Sequence, residues 1–320
     1  MNQLKSFFAS IFDDPDWSAD EPETLANDVI ADLLPYRLYD PESELYYNEG
    51  STGFVLEVNP VVGSDDTAST LQAVINANAP NNSTIQFLNW TSPDIDAPLI
   101  RWAKHRMGVD ELVTEMAQKR MAHLRGARYG TEHVVKAVPH HRRVFVVCWL
   151  DGDADLGKQK DLRNFRRALY AVFGGESYVR HIGPADFIKL LGELLHCRGL
   201  AGISQLEYSD QEALNHQLPG AGLLVRRSAI GLMGEPAMAV GSATVRRYPK
   251  EWQFILGTLL NGVPERINER AVGPVLTSFT MRVRSKSDGS AFLTKKRAGL
   301  QHTASTQFAK FSPNLAEKMQ

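Results

Sequence analysis

Cysteine is almost absent: Cys148 and Cys197 are the only two in 320 residues, and both stand in apolar runs. A disulfide framework is thereby excluded, and the usage fits buried thiols in a reducing compartment. Long apolar runs are missing too. The longest clear one, Val144–Leu150, is far shorter than the roughly 18 residues a membrane helix needs. Met1–Phe12 lacks the basic start and small-residue cleavage site of a signal peptide. The expectation is a soluble, cytosolic protein. No G-x-S-x-G, H-E-x-x-H or G-x-G-x-x-G occurs, so no common catalytic signature is visible.

What is there is ordinary in amount and uneven in placement. Hydrophobic residues at 43% and charged residues at 22% are globular values, and the length suits two domains. The net charge of −2 hides a split: residues 1–66 carry fifteen acids against Lys5 and Arg37, leaving 33 bases and 22 acids beyond them. An acidic front end and a basic body either neutralise each other within one fold or meet an acidic partner, a phosphate backbone or an anionic surface.

The chain reads most clearly around Ser51–Gly63. Phe54–Val58 is a β-branched, apolar run closed by Pro60, Ser64-Asp65-Asp66 is an N-cap signal, and Leu71, Val74 and Ile75 follow at helical spacing. Thr84–Leu88 is the next strand, which completes a βαβ reading. Arg143–Leu150 has the composition of a central strand buried on both faces. A helix at Asp161–Phe173 and a strand at Ser177–Ile182 complete a second unit. Pro184–His196 is another helix, with proline in its first turn. Before all this, Asn2–Phe12 places Leu4, Phe7, Phe8, Ile11 and Phe12 on one helical stripe. The lone Lys5 and the six acids of Asp13–Glu23 argue against an anionic bilayer and for docking on protein, its own or a partner's. Thr24–Leu34 reads as a short helix.

The fold expected is α+β with two subdomains. Residues 1–23 are an amphipathic helix and acidic linker. Residues 24–200 form a split-βαβ, ferredoxin-like layout with a basic helical insertion at 93–128. Residues 199–220 are a loop-rich crossing, and 220–320 a ββαβα subdomain. In the latter, Gly222–Met233 and Met238–Arg247 pair as a hairpin, Pro249–Leu260 is a helix, Val275–Val283 a strand and Ala291–Phe308 a polar helix. A last helix starting at Ser312-Pro313 is cut off at Gln320, as in a piece of a longer protein.

Gly152-Asp153-Ala154-Asp155-Leu156-Gly157-Lys158 matches GxxxxGK between a strand and a helix. Gln159 stands where a Mg²⁺-holding Ser or Thr belongs, and Asp153 and Asp155 put negative charge into the cradle. Gly152, Gly157 and Lys158 are therefore read as a decoy. Asp151, Asp153 and Asp155 start like a calcium loop, but Leu162 occupies its twelfth position. His140-His141 and His196-Cys197 lack metal-ligand spacing. No catalytic, cofactor or metal residue is assigned. Arg142-Arg143, Arg226-Arg227, Arg246-Arg247 and Lys295-Lys296-Arg297 are basic groups at strand ends or on a helix. Solvated ends or contacts to an acidic protein come first for them, and a groove for single-stranded DNA second.

Leu34-Pro35-Tyr36-Arg37 with Tyr39-Asp40-Pro41, then Gly53–Gly63, Val240–Trp252 and Pro274–Arg284, resembles the amino-terminal portion of the TraC assembly ATPases of F-type conjugation, a type IV secretion family. The resemblance implies a docking and oligomerising portion, with neighbouring protomers and inner-membrane secretion subunits as partners. It also implies hexamers at the cytoplasmic face of the inner membrane, and a role in pilus assembly and in DNA and protein transfer. ATP and Mg²⁺ would belong to a RecA-like motor outside these residues, so no family catalytic residue carries over. The alternative is a single-stranded-DNA-binding module of the same apparatus.

Overall fold

The computed structural model describes residues 23–59, 65–92, 94–127, 140–152, 155–174, 178–195, 206–218, 222–225, 230–233, 238–242 and 274–305. Its centre is the strand pair the apolar runs foretell. Strands β4 (Ser51–Val58) and β6 (His141–Asp151) run antiparallel, with Phe54 opposite Cys148 and Leu56 opposite Val146. Strand β5 (Thr84–Ser92) pairs with the other edge of β6, and β7 (Val179–His181) with β4. The order β7–β4–β6–β5, all neighbours antiparallel, is the split-βαβ, ferredoxin-like arrangement. Its crossover helices are α2 (Asp65–Asn78) and α5 (Leu156–Gly174).

The family-like segment 34–58 extends this sheet. Strands β2 (Tyr36–Asp40) and β3 (Leu45–Asn48) form hairpins that lead into β4, with Gly50 at φ +72° closing the β3–β4 turn. Arg166 on α5 donates to the carbonyls of Ser43 and Glu44 and pairs with the Glu44 carboxylate, which anchors the β2–β3 turn to the helical layer. At the opposite edge, β11 (Val275–Arg282) pairs along its whole length with β5. The sheet thus runs β11–β5–β6–β4–β3–β2, with β7 sharing the free edge of β4 beyond β3.

Both faces are covered at the centre, as the continuous apolar character of β4 and β6 requires. One face packs Phe54, Leu56, Ile85, Val146 and Cys148 against Leu162, Phe165 and Leu169 of α5, with Leu71, Val74 and Ile75 of α2 beside them. Burial pushes the Cys148 thiol up to about 12, so it stays protonated and packs as a small apolar group. The other face packs Tyr46, Val55, Trp90 and Phe145 against Phe187, Ile188 and Leu191 of α6 (Pro184–Leu195) and against Leu206, Leu214 and Leu218.

Five local expectations change. Thr24–Leu34 is a strand, β1 (Glu23–Val29), followed by one turn of helix, α1 (Ile30–Leu33). β1 pairs with β8 (Gly222–Val225), and this pairing, invisible in local sequence, overrides helix propensity. Gly222–Met233 is two strands, β8 and β9 (Ile230–Met233), antiparallel to each other. With β10 (Met238–Val240) they make a second sheet, β1–β8–β9–β10. The strand at 275–282 joins the large sheet rather than the 222–240 strands. The loop-rich crossing is, over 206–218, a core-packing segment with a 3-10 turn at Leu214–Gln217, whose Asn215 donates to the Ala31 carbonyl. Helix α7 (Lys286–Ser305) starts earlier than expected and is exposed along most of its length.

Candidate docking surface

Between β5 and β6 the chain leaves the sheet as a helical hairpin, α3 (Asp96–Lys104) and α4 (Glu111–Ala127). Its construction is local. Gly108, at φ +82°, turns the chain, and Asp110 caps α4 by accepting from the N–H of Leu112 at 2.8 Å. Arg125 in the last turn of α4 pairs with Asp96 in the first turn of α3 at 2.6 Å, which sets the helices antiparallel. Ile95, Leu99 and Ala103 are buried, but on α4 only Ala117 is.

The hairpin therefore has more apolar surface than it covers. Of fifteen large apolar side chains exposed among the described residues, six lie between Ile100 and Met116. Leu112 and Met116, one turn apart on α4, are 64% and 63% exposed with Val113 beside them, and Val109 in the turn before the helix is 71% exposed. Beside that stripe Ile95, Pro98, Leu99, Trp102, Arg120 and Leu124 line an apolar groove of about 310 Å³. Its rim is cationic: the guanidinium of Arg106 lies 4.3 Å from the Trp102 ring centre and that of Arg120 5.6 Å. A contiguous apolar patch with a charged rim is the usual mark of a protein contact. The sequence shows Leu112, Met116 and Leu124 at helical spacing; that nothing described covers the first two is visible only in the fold.

The other candidate residues fall into place around the sheet. Gly152, at φ +85°, ends β6, and its N–H donates to the Gly50 carbonyl at 2.7 Å. Asp155 caps α5 through the Lys158 N–H at 2.7 Å, and Lys158 Nζ donates to the Asp151 carbonyl at 3.2 Å. The adjoining cavity of about 280 Å³ holds the carboxylates of Asp151 and Asp161 beside Lys158 and Arg282. Gly152 spends its N–H on the β3–β4 turn, and two carboxylates face the hollow. These residues form a strand-to-helix turn. Asp153 lies outside the described residues.

Of the basic groups, Arg143 is taken up inside the fold. Its Nε donates to Glu57 at 2.7 Å and its Nη1 to Glu193 at 3.3 Å; Arg143 and Glu57 are each 14% exposed. Arg180 joins Glu57 and Asp186, each at 2.5 Å, and the Trp90 indole donates to Glu193 at 2.7 Å. Burial alone would raise the Glu57 carboxyl, but the hydrogen bonds and charges of Arg143 and Arg180 outweigh it and hold it below its ordinary value. His141 is lowered, first by burial and then by Arg143. His181, 2.9 Å from the Tyr39 hydroxyl, is lowered to about 4 by burial, with the Arg166 charge second. Arg142 sits beside Arg143 on β6, and Lys295, Lys296 and Arg297 are exposed on α7. Leu4, Phe7, Phe8, Ile11, Phe12, Arg226, Arg227, Arg246, Arg247, His196 and Cys197 lie outside the described residues. Among those described, no helix is long and apolar enough to cross a membrane.

The class these features define is an α+β protein with a ferredoxin-like core, extended at both sheet edges and carrying an inserted apolar hairpin. The family model described as TraC protein matches residues 30–320, and the chain belongs to that family of conjugation and type IV secretion proteins. A search of the curated proteins finds no match.

Proposed function

We propose that this chain is the docking and oligomerising amino-terminal portion of a conjugative type IV secretion ATPase. It would bind inner-membrane secretion subunits and neighbouring protomers at the cytoplasmic face, within a hexamer that serves pilus assembly and substrate transfer. ATP and Mg²⁺ would act in a motor outside these residues. The observation that carries the reading is the α3–α4 hairpin, whose α4 helix has one buried residue and an open apolar stripe, in a member of a secretion family. Interface energy concentrates in such patches, so Leu112→Asp with Met116→Asp is expected to lower conjugative transfer by about tenfold or more. The protein should also leave the membrane fraction, while its thermal midpoint stays put because both side chains are exposed. Unchanged transfer and unchanged membrane association would reject the reading.

A single-stranded DNA surface is the second reading, favoured by the exposed Lys295, Lys296 and Arg297 on one helix. Affinity for an oligonucleotide that falls steeply with salt, and falls less steeply after Lys295→Ala and Lys296→Ala, would support it.

A further inference from the structure

We propose that the α3–α4 groove is the seat of this chain's own amino-terminal segment, Asn2–Phe12; this rests on reading the hairpin as a docking surface. Three features match. The groove is walled by Ile95, Pro98, Leu99, Trp102 and Leu124, so it asks for an apolar stripe. The segment offers one: Leu4, Phe7, Phe8, Ile11 and Phe12 at i, i+3, i+4, i+7 and i+8. As a helix, eleven residues would measure roughly 16 Å, close to the roughly 14 Å of the nine-residue α3 that lines one side of the groove.

Charge fixes the choice of occupant. Arg106 and Arg120 stand over Trp102 at the groove, while Asp96 is paired with Arg125 and Glu115 with Lys119. Residues 13–23 carry six acids and no base immediately after the stripe, so seating it brings the acids over the cationic rim. Residues 13–22 extend to about 33 Å, enough to cross a domain face between the seated segment and the start of β1.

Hydrogen–deuterium exchange on the whole chain tests this, comparing it with Phe7→Asp/Phe8→Asp and, separately, with Leu124→Asp. In the unaltered chain the amides of 4–12 and of 96–127 should exchange slowly. The double variant should speed exchange across 96–127 by about tenfold or more and leave β4 and β6 as they were. Leu124→Asp should do the same to 4–12. Unchanged exchange of 96–127 in the double variant overturns the proposal. So does protection that disappears on dilution, which would assign the groove to a second copy. If exchange is unchanged while Leu112→Asp/Met116→Asp still loses membrane association, only this inference falls and the docking reading stands.

Discussion

A Cβ added to Gly53 would lie 2.4 Å from the Cys148 carbonyl oxygen and 2.8 Å from the Trp149 Cβ. Both neighbours belong to β6, the strand that pairs with β4 at this point, so neither can step aside without opening the central ladder. Gly53→Ala is therefore expected to destabilise the fold by about 2–3 kcal/mol, measured by denaturant unfolding. A loss under about 0.5 kcal/mol would mean the two strands are less closely apposed than described. Nothing in the string Ser-Thr-Gly-Phe announces this. It reads as a strand opening, and the need for glycine comes from a residue nearly a hundred positions away.

Among the elements, the Glu57–Arg143–Arg180–Glu193 network joins β4, β6, β7 and α6 on one face of the sheet. Replacing Arg143 by Met leaves Glu57 with Arg180 alone and removes one partner of Glu193. The expected cost is roughly 2–3 kcal/mol, since a largely buried carboxylate loses its main partner. The pH sign follows from Glu57, whose folded pKa lies below the ordinary 4.5. Its contribution is full above 4.5 and is lost as pH falls through the lower folded value. Unfolding midpoints across the acid range should show a steep decline in the unaltered protein and a shallower one in Arg143→Met. Equal slopes would place the acid lability elsewhere. The Arg142-Arg143 doublet looked, in sequence, like a free basic strand end; tertiary packing turned Arg143 inward because Glu57 and Glu193 converge on it.

At the scale of the whole molecule, the question is what the near P-loop does for the fold. The Gly152 N–H and the Lys158 ammonium are both engaged with backbone carbonyls, at Gly50 and Asp151. Mg·ATP is expected to leave the thermal midpoint of this chain unchanged, before and after Lys158→Ala. A real site would add about 2.7 kcal/mol at a hundredfold excess over its Kd. A rise abolished by Lys158→Ala would make Gly152–Lys158 a phosphate loop and overturn the assignment of nucleotide chemistry to a separate motor.

Sequence by itself determined the split-βαβ core: the two βαβ patterns, the doubly buried run at Arg143–Leu150 and the helical insertion all rest on local periodicity, which burial enforces residue by residue. It also carried the family, in Leu34–Arg37, Gly53–Gly63 and Pro274–Arg284. Tertiary structure alone decided the rest. That β1 leaves the neighbourhood of β2 to pair with β8, and that β11 returns to β5, are pairings between distant backbones, whose hydrogen bonds have no sequence period to reveal them. The docking surface is of the same kind. An apolar stripe at helical spacing is the same string whether its face is covered or open, and only the packed fold shows Leu112 and Met116 uncovered among the described residues.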